Sequence, residues 1–218
     1  MRLQLDHLVV AAASLEQGAR WCEATFGVAP GPGGKHPLMG THNRLLRIDA
    51  PAFPRAYLEI IAIDPDAAVP ARTRWFDLDD VGLRAAIEVA PRLIHWVARC
   101  DELDATCAAW RERGIDRGVP VAASRETANG RLRWRITVRA DGQRLFEGAL
   151  PTLIEWGSAH PVEAMPPSPL RLESLAVGGL PAWIAPALPV HTALRTAPGL
   201  RASFASPRGV VTLDGALP

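Results

Sequence analysis

Leu5-Asp6-His7-Leu8-Val9-Val10 is a short apolar run with a histidine in third place, and the chain returns to this pattern twice. Leu93-Ile94-His95-Trp96-Val97-Ala98 again has histidine third, and Leu172-Glu173-Ser174-Leu175-Ala176-Val177 puts Ser174 there. Self-similarity of this kind marks a duplicated supersecondary unit. After the first run, Ser14 and Gln17 form a capping-box pair, Leu15, Ala19, Cys22 and Phe26 make a helical apolar stripe, and Gly27 stops it. After the second, Asp101 or Asp104 caps a helix whose stripe is Leu103, Cys107 and Trp110, ended by Gly114. Strand-like runs follow each helix, at 42–48 and 57–63 in the first half and at 119–125, 131–138 and 150–157 in the second. Asn129-Gly130 is a two-residue hairpin signal, and Asp141-Gly142 marks another turn.

Each half thus reads as strand, helix, then about three strands. The expected division is a first module over 1–63, a connection over 64–90 with Pro65, Pro70 and the acidic Asp77-Leu78-Asp79-Asp80, and a second module over 91–160. After Pro161, Pro166, Pro167 and Pro169, residues 163–218 form a partial third unit. Its segments 200–205 and 209–213, joined through Ser206-Pro207-Arg208, read as a hairpin that needs a surface to pack on.

Composition excludes several classes of function. Of 218 residues, 48% are hydrophobic and 22% charged, an ordinary globular balance. Lys+Arg 24 against Asp+Glu 23 leaves +1, so no basic field recruits nucleic acid or an anionic membrane. No apolar run reaches the roughly 18–20 residues of a membrane span, and Asp6 and His7 interrupt the N-terminus before a signal-peptide core forms. A cytoplasmic location is expected. Cys22, Cys100 and Cys107 form no C-x-x-C pair and read as structural thiols.

The last strand of each half carries one acid among apolar residues: Glu59 in Tyr57-Leu58-Glu59-Ile60-Ile61, and Glu155 in Leu153-Ile154-Glu155-Trp156. An unpaired carboxylate enclosed there is costly, so each needs a cation, a proton or water. By strict alternation Glu59 shares a face with Tyr57 and Ile61, His7 with Leu5 and Val9, His95 with Leu93 and Val97, and Glu155 with Leu153. The opposite residues, Ile154 and Trp156 among them, are expected to pack under the helices. Two imidazoles and two carboxylates on corresponding strands suit a divalent metal.

Strand, helix and three strands twice over, with His on the first strand and Glu on the last, resembles the vicinal oxygen chelate superfamily, and within it the bacterial glyoxalase-like proteins. The strings that carry the likeness are Leu5-Asp6-His7-Leu8-Val9-Val10, Gly40-Thr41-His42-Asn43 and Tyr57-Leu58-Glu59-Ile60-Ile61, over roughly 3–63 and 91–157. The resemblance implies an α+β fold of paired βαβββ modules forming a cupped mixed sheet, with a partial third βαββ-like unit at the C-terminus. It also implies a metal set of His7, Glu59, His95 and Glu155, holding Ni, Co, Zn, Mn or Fe. The implied function is that of a metal-dependent lyase or isomerase. Its small substrate carries vicinal oxygens and loses a proton, under Lewis-acid assistance, to Glu155 or Glu59 as catalytic base. The alternatives are a metal-free small-molecule sequestering protein of the same fold and an extradiol-type dioxygenase. The expected partner is a small-molecule substrate, and a homodimer is an allowed assembly.

His36, Asn43 and Arg44, packed into a strand entry, are the expected substrate-binding residues. Gly31, Gly33 and Gly34 precede Lys35, but His36 breaks the phosphate-loop pattern, which leaves a flexible loop. Arg131, Arg133 and Arg135 alternate along one strand as a solvated face, the sharper alternative being a clamp for a carboxylate or phosphate. Trp96, Trp110 and Trp156 are expected in helix–sheet packing.

Overall fold

The computed structural model describes residues 3–127, 130–189 and 191–215. The first half runs β1 (Gln4–Ala11), α1 (Leu15–Phe26), β2 (Lys35–His36), β3 (Thr41–Arg47) and β4 (Tyr57–Ile63). After α2 (Val81–Val89), the second half runs β5 (Arg92–Arg99), α3 (Leu103–Arg111), β6 (Val119–Thr127), β7 (Gly130–Val138) and β8 (Thr152–Trp156). These eight strands form one curved mixed sheet in the order β2-β3-β4-β1-β5-β8-β7-β6. Its two halves meet at the antiparallel β1–β5 seam. In each half the last strand lies parallel beside the first, β4 on β1 and β8 on β5.

The local signals explain the elements. Ser14 Oγ accepts from the Gln17 N–H at 3.1 Å, which satisfies one orphan donor of α1, while Gln17 Oε1 accepts from the Ala13 N–H at 2.8 Å and ties down the residue before the cap. Gly27, at φ 74°, closes the helix in the left-handed region. For α3 the structure corrects the expectation: neither Asp101 nor Asp104 caps it. The cap position is Glu102, which makes no side-chain cap bond, and Asp104 pairs with Arg135 at 2.6 Å. Gly130 pairs with Thr127 across the β6–β7 hairpin; Asn129, the other half of the turn signal, lies outside the described residues.

One face of the sheet packs Leu8, Val10, Leu58, Ile60, Trp96 and Leu153 against Cys22 and Phe26 of α1 and Leu103, Cys107 and Trp110 of α3. The tail joins that layer as its own four-stranded sheet: β9 (Arg171–Gly178), β10 (Thr192–Arg195), β11 (Gly199–Ser206) and β12 (Gly209–Asp214), ordered β10-β9-β11-β12. The β11–β12 hairpin forms as its sequence predicts, and Phe204 meets Phe26 edge-on at 5.1 Å. Strand order differs from the two halves, because here the parallel neighbour of the first strand is β10 and β11 runs antiparallel to it.

The opposite, concave face holds Val9, Ala11, Ile61, Val97, Trp134, Ile136 and Ile154. The 64–90 connection does more than join the halves. It supplies α2, capped by Asp80 on the Leu83 N–H at 2.7 Å, and sends Trp75, Phe76, Leu78, Leu83 and Ile87 into this concave layer.

The three repeated runs share a backbone irregularity that strict alternation does not anticipate. Pairing skips Asp6 between Leu5 and His7, Ile94 between Leu93 and His95, and Glu173 between Leu172 and Ser174. One extra residue at each place is a β-bulge, and it turns two successive side chains away from the core face. Leu5 and Leu8, Leu93 and Trp96, and Leu172 and Leu175 therefore all lie in the helix-side core at a spacing of three. His7 and His95 do not share a face with Leu5 and Leu93.

At the α1–β4 contact, a Cβ on Gly18 would sit 2.4 Å from Ile60 Cγ2 and 3.1 Å from the Ala12 Cβ. Gly18→Ala, although helix-favouring, is expected to cost about 1–3 kcal/mol through overpacking. A lowered urea midpoint at unchanged slope would show it.

Candidate functional site

At the bulge of β1, Asp6 and His7 turn towards the concave side together. His7 Nδ1 lies 2.7 Å from Asp6 Oδ1, and Asp6 Oδ2 accepts from Trp156 Nε1 at 2.9 Å and His160 Nε2 at 3.0 Å. Asp6 is fully buried. Burial alone would raise its carboxyl, but the hydrogen bonds from His160 and His7 outweigh it and hold Asp6 ionised, well below the usual carboxylate range. The Tyr57 ring stacks on His7 at 4.6 Å, and burial, helped by nearby Asp6 and Glu59, pushes its phenol well above the ordinary value, so it stays protonated.

Glu59 faces the same space from β4. Asn43 Nδ2 donates to Glu59 Oε1 at 2.5 Å, and Glu59 Oε2 is 3.6 Å from His7 Nε2, beyond a hydrogen bond. Asn43 is itself held by the Gly34 N–H on its Oδ1 at 2.8 Å, and its Nδ2 meets His36 Nε2 at 3.3 Å. His36 Nε2 therefore accepts, and Nδ1 donates to Thr41 Oγ1 at 3.0 Å, which fixes a neutral tautomer. Burial, against the pull of Glu59, pushes the His36 imidazole down to about 4. The space enclosed between His7, Glu59, His36 and Asn43 is about 30 Å³, walled by Trp75, Phe76, Trp134 and Trp156. Phe76 takes a left-handed backbone, φ 60°, rare for a bulky side chain, and its ring lies between Trp75 and His95.

The structure brings His7, Glu59, His36 and Asn43 together and leaves the other three expected site residues apart. Arg44, between Asn43 and Leu45, alternates onto the other face of β3. Glu155 also lies on the helix side, beside Leu153, while Ile154 and Trp156 face the concave side, the reverse of the sequence expectation. Its Oε1 accepts from the Leu103 N–H at 3.3 Å and its Oε2 from Arg135 Nη1 at 3.1 Å. Glu155 thus supplies the α3 cap that neither aspartate provides. His95 is fully buried, with Nδ1 3.1 Å from the Gly148 carbonyl, and Nε2 accepts from the Thr152 N–H at 3.1 Å. Burial, then Arg117 and Arg144, hold its imidazole well below the usual value, hence neutral.

The register gives the reason. Val9 pairs with Glu59 in the parallel β1–β4 ladder, and Val97, its counterpart, pairs with Thr152. The structural equivalent of Glu59 is Thr152, whose hydroxyl is bonded to His95 and receives Arg117. One half of the duplication carries His with Glu, the other His with Thr. Four-donor coordination by His7, Glu59, His95 and Glu155 does not fit this arrangement, since Glu155 is across the sheet and both His95 nitrogens are engaged. The same engagement removes the second imidazole of a two-histidine, one-carboxylate iron site. Among the described residues no three of His, Cys, Asp or Glu are grouped to hold an ion.

Asp6, Tyr57, Trp75, Phe76, Arg125 and His160 complete the site without having been expected there, and Trp156, expected under the helices, joins them on the concave side. Asp6 had a legible signal, being an acid in an apolar run like Glu59. His160 had none, because only the fold returns the chain after β8 to β1.

A curved sheet of two strand–helix–three-strand halves around a common concave face is the architecture of the vicinal oxygen chelate superfamily. The chain belongs to the glyoxalase-like domain family, whose model matches residues 5–182. No curated protein matches the sequence. Among solved structures, a hypothetical protein of Staphylococcus aureus is 14% identical, with 81% of this chain and 69% of that one covered at a TM-score of 0.55. Methylmalonyl-CoA epimerase of Streptomyces coelicolor, in complex with 2-nitronate-propionyl-CoA, is 16% identical, with 73% and 99% covered at 0.45. The Mycobacterium tuberculosis epimerase is 17% identical, with 74% and 92% covered at 0.41. These likenesses are of fold. No helix among the described residues is long and apolar enough to cross a membrane.

Two outcomes follow from the buried polar groups. His36 titrates near 6.5 when unfolded and about 4 when folded, so between those values the unfolded chain binds a proton that the native site refuses. Stability is therefore lost as pH falls through this window, and His36→Gln should flatten that loss in urea midpoints measured across it; His95 leaves a residual slope of the same sign. Glu155→Ala should cost about 1–2 kcal/mol by the same measurement, the value of a lost helix cap.

Proposed function

We propose that the protein is a proton-transferring isomerase or lyase for a small substrate with adjacent oxygens, working in the cleft between His7 and Glu59. The observation that carries this reading is the pair of facing polar atoms, Glu59 Oε2 and His7 Nε2, 3.6 Å apart with their other ends anchored by Asn43 and Asp6. Anchoring one carboxylate oxygen leaves the second to act as a base at a fixed place. The ionised Asp6 accepts from His7 Nδ1–H and orients the ring, so that a proton on Nε2 is presented to a carbonyl oxygen, as in an Asp–His pair. Glu59 then takes the proton from the adjacent carbon, leaving a neutral carboxylic acid and an enolate hydrogen-bonded to His7. Return of that proton to the same or the neighbouring carbon completes epimerisation or isomerisation, and loss of a leaving group from the enolate completes a lyase step. Trp75, Phe76, Trp134 and Trp156 exclude water around the reacting carbon, which strengthens both interactions. No step is assigned to a metal ion, because the expected donors do not converge.

The test is exchange of the substrate α-hydrogen in D2O, followed by proton NMR over a panel of small hydroxyketones and 2-oxo acids. Glu59→Gln should slow exchange by at least about 10²-fold while ligand binding persists, the usual contribution of a positioned base. Exchange undiminished in this variant would overturn the assignment. Binding by the wild type without any exchange would favour the sequestering-protein alternative.

A further inference from the structure

The glycines before Lys35 and the arginine on β6 are the features that the proton-transfer reading leaves unused. A Cβ on Gly33 would lie 2.2 Å from both the Asn43 carbonyl and Asn43 Oδ1, and one on Gly34 would lie 2.4 Å from Arg125 Nη1. The segment is glycine because backbone is laid directly on the Asn43 amide and on the Arg125 guanidinium. Arg125 Nη1 reaches Asn43 Oδ1 at 3.5 Å, so one amide links this cation to the Glu59 carboxylate. Arg125 is half-buried, lines the central space, and among the described residues makes no ion pair. The neighbouring cation Lys35, by contrast, is taken by Asp64 at 2.8 Å. A partly desolvated guanidinium without a carboxylate is a receptor for a planar anion.

The central space continues along β6 in two directions. Towards Val121 and Ala123 it opens into a groove of about 270 Å³, lined by Leu38, Met39, Trp75, Trp134, Ile136 and Val138. Past Arg125 it opens into a wider cleft of about 590 Å³ bordered by Leu45, His160 and Pro161. His36, Trp75, Trp134 and Ile136 are shared between centre and groove, and Leu45, Arg125 and Pro161 between centre and cleft. One continuous trough therefore presents an apolar compartment, the Glu59–His7 pair and an unpaired cation in that order.

We infer that the ligand is a small monocarboxylate with an apolar tail: the carboxylate pairs with Arg125, the tail fills the Met39–Trp134 groove, and the carbon between them lies against Glu59. The last element rests on the proton-transfer reading; the first two do not. The experiment uses ligands that cannot react, so turnover plays no part in it. Calorimetric titration of the full chain with 3-phenylpropanoate, with 3-phenylpropanamide and with acetate separates the three contributions. The acid should bind roughly tenfold or more tightly than the amide, as expected of a charge-assisted pair, and acetate roughly tenfold or more weakly than the acid for want of a tail. Arg125→Gln should bring acid and amide to near equality, Arg125→Lys should keep part of the preference, and Lys35→Gln should leave it unchanged. Equal binding of acid and amide by the wild type overturns the proposal without need of any variant. So does a preference that survives Arg125→Gln, or an absence of binding by the acid. None of these results bears on α-hydrogen exchange, so a failure here and a failure of the proton-transfer reading are told apart.

Discussion

The bulge at Asp6 is the constraint on which the site depends, because a regular strand would send Asp6 and His7 to opposite faces of the sheet. With one residue skipped in the β1–β5 ladder, carboxylate and imidazole turn to the concave side as neighbours and bond at 2.7 Å. The bulge also restores Leu5 and Leu8 to the helix-side core, so the polar pair is gained without losing an apolar contact there. An enclosed carboxylate must be satisfied, and Asp6 is, by three donors drawn from β1, β8 and the turn after β8. Those bonds tie the first half of the duplication to the second at the place where the chemistry is proposed.

Duplication gave the chain two potential sites and the structure shows them diverging. Around His7 the counterpart position on the parallel neighbour is Glu59, and the pocket keeps polar atoms free to face it. Around His95 the same position is Thr152, and both ring nitrogens are spent on the Gly148 carbonyl and on Thr152. The second half thus becomes scaffold: its histidine is neutral and packed against Phe76. The bulge is retained in the tail, at Glu173, where no histidine follows it. Retention of an irregular backbone in three places, with chemistry concentrated in one, argues that the bulge serves the sheet curvature as well as the site.

The 64–90 connection shapes the trough more than its composition suggests. Trp75 and Phe76 enter the concave layer from this segment, and Leu83 and Ile87 of α2 pack into the same layer. Gln17 of α1 reaches the α2 carbonyls of Ile87 and Glu88 at 2.9 and 3.3 Å, so α2 is fastened to the capping device of the first helix. A site walled this way is small at its centre and roomy on either side, a geometry suited to gripping one reacting carbon of a longer molecule.

Much of the architecture was legible from the sequence because local signals and pattern agreed: the Ser14–Gln17 cap, the Gly27 stop, the strand 57–63 and the tail hairpin form where they read. The sequence also determined Glu59 and His7 as polar residues in apolar strands, which is a desolvation argument and needs no neighbours. Tertiary structure alone decided which of the four polar strand residues meet. Strand alternation predicts faces only while the ladder is regular, and a bulge changes the parity of every residue beyond it. Leu5 therefore lies on the face opposite to the one that alternation from His7 gives it. Glu155 lies off the expected face for a related reason, since the parallel register of β8 on β5, which makes Thr152 the partner of Val97, is set by long-range pairing that no local pattern encodes. Arg125 and His160 lie 82 and 154 positions along the chain from Asn43 and Asp6, and only the folded sheet puts them beside those partners.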